Sequence, residues 1–97
     1  MKTTKDYLDV IKENEPELRS KYGIRSLRIF GSVARGEHHD GSDLDVFVEM
    51  EPSLLLKVDL THFLEEKLQM PVDVVRKHKH INPFLLNEIE HDGIHVF

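Results

Sequence analysis

The spacing of apolar and polar residues changes along the chain and marks out each element. Tyr7, Leu8, Val10 and Ile11 recur at helical spacing behind Thr3 and Thr4, either of which can cap, so a first helix is predicted there. Asn14-Glu15-Pro16 interrupts it. Pro16 suits the first position of a following turn, in which Leu18 and Tyr22 pack and which Gly23 ends. From Ile24 to Phe30 the period falls to two, and Ser26-Leu27-Arg28-Ile29-Phe30 alternates as a half-buried strand does. Gly31 to Gly36 reads as a turn that opens a short helix, and Glu37 to Gly41 as a polar, mobile connection. Leu44 to Glu49 alternates again, with Leu44, Val46 and Val48 on one face and Asp43, Asp45 and Phe47 on the other. Pro52-Ser53 starts a long helix with Leu55, Val58, Leu60, His62, Phe63 and Leu68 available for packing and Glu65, Glu66 and Lys67 outward. Met70-Pro71 ends it. Val72 to Arg76 is a third strand and Lys77 to Ile81 a loop. Asn82-Pro83 caps a last helix that turns Phe84, Leu85 and Ile89 inward and stops at Gly93. Ile94 to Phe97 then adds a short edge strand.

Two places break the apolar pattern in a chemically pointed way. Asp43 and Asp45 face the same way, close enough to share cations, and Asp73 occupies a mid-strand position where another hydrophobe is usual. Upstream lies the small-residue stretch Gly31-Ser32-Val33-Ala34-Arg35-Gly36, suited to holding phosphate. Acidic oxygens gathered in this way suit Mg²⁺ held jointly by protein and substrate phosphates, which points to phosphoryl or nucleotidyl transfer. Three close carboxylates also repel one another, and a cation would relieve that repulsion. Each residue has a plainer reading. Asp43 and Asp45 can be surface acids at a strand start, Asp73 an acid on the solvent side of an edge strand, and Gly31-Ser32 an ordinary turn. Arg35 reads either as a phosphate clamp, since a guanidinium matches phosphate oxygens, or as a surface cation paired with Asp40. Ser42 shapes the backbone and orients Asp43, and Gly36 ends the short turn.

Ninety-seven residues make one domain, 1–97, with a real but small core and little room for a second lobe to enclose a substrate. A formal net charge of −5 argues against nucleic acid as the main partner and favours nucleotide bound through metal, or a basic protein surface. There are no cysteines, which removes disulfide and thiolate chemistry. Lys2, Lys5 and Asp6 stand where a signal peptide would be apolar, and no run approaches membrane-spanning length, so a cytoplasmic domain is expected. His38-His39 and His78-Lys79-His80 lack zinc spacing and read as solvated loops, with His62 a partly buried helix residue. Arg76, Lys77 and Lys79 are placed to meet phosphate or an acidic partner surface, or are simply solvated.

Gly31-Ser32, ten intervening residues and then Asp43-Leu44-Asp45 resembles the nucleotidyltransferase signature of the DNA polymerase beta superfamily. The fuller run G-S-x-A-R-G-x5-S-D-x-D resembles that of its smallest members, the minimal nucleotidyltransferases of prokaryotes. The resemblance spans almost the whole chain. It implies an α/β fold with a small mixed β-sheet flanked by helices, the polymerase beta-like core. It implies transfer of AMP from ATP to a hydroxyl with two Mg²⁺ ions. Asp43, Asp45 and Asp73 would be the catalytic and metal-binding set, and Gly31, Ser32, Arg35 and Ser42 the nucleotide-binding one. It also implies a context, since minimal nucleotidyltransferases are commonly paired with a HEPN-domain ribonuclease toxin and serve as its antitoxin by adenylylating a tyrosine on it. Two other outcomes stay open. One is an antitoxin that inhibits by binding alone; the other is a subunit that modifies a small molecule, with a partner supplying the walls that this chain lacks.

Overall fold

The structure is a computed structural model and describes residues 2–97. Helix α1, Thr4–Glu13, opens on a capping box in which the Thr3 hydroxyl accepts from the Asp6 amide and the Asp6 carboxylate accepts from the Thr3 amide. The segment from Glu15 to Tyr22 is a full helix, α2, rather than a turn. Pro16 sits in its first turn, Arg19 and Glu15 pair one turn apart at 2.8 Å, and Gly23 closes it in the left-handed region at φ 66°. Strand β1 is Ser26–Phe30, shorter than expected, because Ile24 folds back to give its amide to Leu18. Next come α3, Gly31–Arg35, and β2, Leu44–Glu49. Helix α4, Leu54–Leu68, is capped by Ser53, and β3 is Val72–Arg76. Helix α5, Pro83–Asp92, is capped by Asn82, and β4, Ile94–His95, is the edge strand. The long helix α4 ends at Leu68, two residues before the expected Met70-Pro71 stop. Gln69 has already turned left-handed at φ 55°, clear of the backbone that Pro71 restricts.

The sheet is mixed, in the order β3-β2-β1-β4. β1 runs antiparallel to β2 and β4, whereas β2 and β3 are parallel and need α4 as their crossover. Alternation along the strands divides the apolar residues between two layers. Leu27, Ile29, Leu44, Val46, Val48, Val72 and Val74 pack with Tyr7 and Ile11 of α1, Leu18 and Tyr22 of α2, and Leu60, Leu64 and Leu68 of α4. Phe30 and Phe47 face the other way, against Ile89 of α5. Burying these side chains contributes about 25 cal/mol per Å² of apolar surface, and covering both faces is what a small sheet needs to be stable.

Four expected inward residues point outward. Leu55, Val58 and Phe84 are 80%, 44% and 88% exposed, and His62 is exposed as well. On α4 the reason is phase: at about 3.6 residues per turn Leu55, Val58 and His62 share one face, turned away from the face on which Leu60, Leu64 and Leu68 meet the sheet. Among the described residues no helix is long and apolar enough to cross a membrane.

Candidate active site

Register builds the site. Asp45 lies opposite Phe30 on β1 and opposite Asp73 on β3, so the two carboxylates are neighbours across a parallel pair on the α5 side of the sheet. Asp43, two residues earlier and just before β2 begins, has the same outlook. Gly31 follows Phe30 with φ 75°, a left-handed backbone that favours glycine, and a Cβ there would overlap the Asp45 carboxylate. Glycine at 31 is therefore what lets the turn and the acid share one corner.

The electrostatics follow from that crowding. Burial, then the charges of Asp73, Asp43 and Glu88, push the Asp45 carboxyl up from 3.8 to about 6, and Arg35 only partly opposes this. Among the described residues no three His, Cys, Asp or Glu side chains enclose an ion by themselves. A hard cation at Asp45 and Asp73 would thus complete its shell from phosphate oxygens, the way Mg²⁺ is usually held on nucleotides. An all-oxygen donor set whose most buried member resists ionisation fits such an ion.

The other sequence-predicted residues fall around this corner. Ser32 is half-buried in the first turn of α3, and its carbonyl accepts the Glu37 amide. Gly36 closes α3 left-handed at φ 72°. Thr4 ties this turn to α1 by donating its hydroxyl to the Val33 carbonyl at 2.6 Å. Ser42 closes the loop before Asp43, its hydroxyl accepting from the His39 amide at 2.9 Å while its own amide bonds the His39 carbonyl. Arg35 does not pair with Asp40. Its guanidinium bridges Glu37 at 3.0 Å and Asp92 at 2.9 Å, with Glu88 at 4.0 Å, and the hydrogen bonds to Glu37 and Asp92 raise its pKa. Glu88 and Asp92 are the site neighbours that the sequence reading missed. Their only signal is a four-residue spacing on α5, which puts both on one helical face. Of the histidines, His38 bonds the Lys2 carbonyl and abuts Tyr7 edge-on, His78 accepts from the His80 amide, and His91 pairs at 2.8 Å with Asp92, the acid that also holds Arg35. Beyond β3, Asp73 also lines an open groove of about 560 Å³ at the start of α4.

A nucleotidyltransferase domain model matches residues 11–96. A Methanocaldococcus jannaschii protein named as a candidate protein adenylyltransferase is 36% identical over 98 residues, covering 99% of this chain and 100% of that one. The protein adenylyltransferase MntA of Thermococcus cleftensis is 38% identical over 79 residues, 79% of this chain and 80% of its own. Among solved structures, a candidate minimal nucleotidyltransferase superposes with a TM-score of 0.77 at 33% identity, over 96% of this chain and 95% of that one. The fold alone is shared with the complex of a tri-AMPylated Shewanella oneidensis HEPN toxin and its MNT antitoxin, at a TM-score of 0.66 and 16% identity over 93% of this chain and 71% of that one. With the Gly31 turn, the paired strands and the mixed sheet in place, the chain belongs to the nucleotidyltransferase domain family, among its minimal nucleotidyltransferases.

Proposed function

We propose that this chain transfers AMP from ATP to a tyrosine hydroxyl of a HEPN-domain ribonuclease toxin and acts by that reaction as its antitoxin. The observation that carries the reading is the placement of Asp45 beside Asp73, in register, under a glycine turn with no room for a side chain. Relatives named as protein adenylyltransferases, and the shared fold of an antitoxin bound to an AMPylated HEPN toxin, support the protein acceptor.

In this reading the Gly31-Ser32 turn holds the terminal phosphates through main-chain amides and the Ser32 hydroxyl. Two Mg²⁺ ions, held by Asp43, Asp45 and Asp73 with phosphate oxygens, would supply charge neutralisation and activation of the attacking hydroxyl. The phenol oxygen attacks the α-phosphorus, the bond to pyrophosphate breaks, and Asp73, exposed at the strand edge, takes the phenolic proton. Arg35 steadies the triphosphate from the α3 side, oriented by Glu37 and Asp92.

The test is incubation with ATP, Mg²⁺ and a HEPN-domain ribonuclease, followed by intact mass. The partner should gain one or more AMP units, and an Asp43→Asn/Asp45→Asn variant should add none. An unmodified partner that both forms inhibit equally would instead establish inhibition by binding alone.

A further inference from the structure

We infer that the exposed apolar face at the start of α4, with the groove beside Asp73, is where the acceptor protein docks, and that it receives a segment of apolar side chains flanked by acidic ones. This docking mode rests on the protein-directed transfer proposed above. Leu54, Leu55 and Val58 are 76%, 80% and 44% exposed and cluster on adjoining turns. Single exposed hydrophobes are ordinary, but three neighbours at one helix end form a patch of the kind that marks an interface. Leu54 and Leu55 also occupy a first turn in which acids would favour the helix and none is present.

The patch is continuous with the candidate chemistry, because Leu54 and Asp73 line the same groove. A segment anchored on the leucines is thereby led to the carboxylate that takes the acceptor proton. The groove also has its own sign. In a chain of net charge −5 its other ionisable lining is Lys57, Arg76 and His78. Arg19, Arg25 and Arg35 are each matched by carboxylates. Among the described residues Lys57, Arg76 and His78 are in no ion pair. Unneutralised cations beside an apolar patch complement an acidic, apolar protein segment.

The experiment measures three quantities on wild type, Leu54→Glu/Leu55→Glu and Lys57→Glu/Arg76→Glu: affinity for that HEPN-domain protein by interferometry, affinity for ATP with Mg²⁺, and AMP gained by the partner. The sites are exposed and glutamate is a good helix former, so circular dichroism should be unchanged. The leucine variant should bind the partner about 30-fold more weakly, the scale of a lost hot spot. The charge variant should lose affinity at low salt and recover part of that difference at high salt. Both should keep wild-type affinity for ATP. Unaltered partner affinity in both variants, or no binding by wild type, overturns the docking surface. So does loss of ATP affinity alone in the charge variant, which would make the groove a nucleotide subsite, or self-association abolished by the leucine change with partner binding kept. A partner bound through this patch yet never modified refutes the proposed reaction and leaves the docking surface standing. Equal modification by all three forms does the reverse.

Discussion

At the scale of single residues, Asp45 carries the most unusual chemistry. Its carboxyl titrates near 6 rather than 3.8, so the folded chain binds that proton more readily than the unfolded one. The sign follows directly. The group costs nothing below about pH 4, and its penalty grows as pH rises and is complete above about pH 6. Asp45→Asn should therefore stabilise the metal-free protein at about pH 8, by about 1 kcal/mol given that a half-buried charge is partly screened by water. It should be nearly neutral at about pH 4. Urea unfolding at both values is the measurement, and an equal shift at each would show that titration is not the cause. Gly31→Ala tests the opposite side of the same corner. The left-handed backbone costs alanine about 1–2 kcal/mol, and the methyl displaces the Asp45 carboxylate. Stability should fall by that amount, and AMP transfer should fall by about 100-fold or more, as expected when reacting groups are misplaced. Asp43, Asp45 and Gly31 were readable from the sequence because two-residue alternation and a glycine turn leave local marks. Glu88 and Asp92 were not, since they reach Arg35 from a helix more than fifty residues on, and no pairing rule connects such positions before the fold is known.

Among the elements, β2 and β3 fall where alternation placed them, because one face of each, Leu44, Val46 and Val48 or Val72 and Val74, packs into the larger core while Asp45 and Asp73 lie on the other. Helical periodicity proved a weaker guide on α4 and α5. Apolar residues on α4 occur on more than one face, and only the fold shows that Leu60, Leu64 and Leu68 meet the sheet while Leu55 and Val58, like Phe84 on α5, stay exposed. The contrast is measurable. Leu64→Ala, at 1% exposure, should cost about 3 kcal/mol through lost burial and the cavity left behind. Leu55→Ala, on the exposed face, should change stability by less than about 0.5 kcal/mol. Similar losses for the two would mean that the first turn of α4 is packed after all. The short second segment was misjudged for a related reason, since Pro16 signals a break equally well as the start of a helix.

For the whole molecule, nucleotide binding and folding should be linked. If acids from two strands and a turn from a third element meet only in the folded chain, ATP with Mg²⁺ binds the native state alone. At about 100 times its dissociation constant it should add about 2.7 kcal/mol, a rise of roughly 10–20 °C in Tm for a domain this small. The Asp43→Asn/Asp45→Asn variant should show no such rise in the same scan. An equal rise would remove these acids from the nucleotide site.

The strand order has a consequence for how the chain can be divided. Residues before the exposed Glu51-Pro52 link supply β1 and β2 with Gly31, Ser32, Asp43 and Asp45, whereas those after it supply β3 and β4 with Asp73. In the order β3-β2-β1-β4 the later half clasps the earlier hairpin from both edges, and Val96 and Phe97 bond to Leu27 on the far side. Cut at that link, the chain becomes two complementary fragments, neither of which holds the full carboxylate set. Mixing them should restore AMP transfer only as the clasp re-forms, which would make the enzyme a split reporter whose signal reads reassembly.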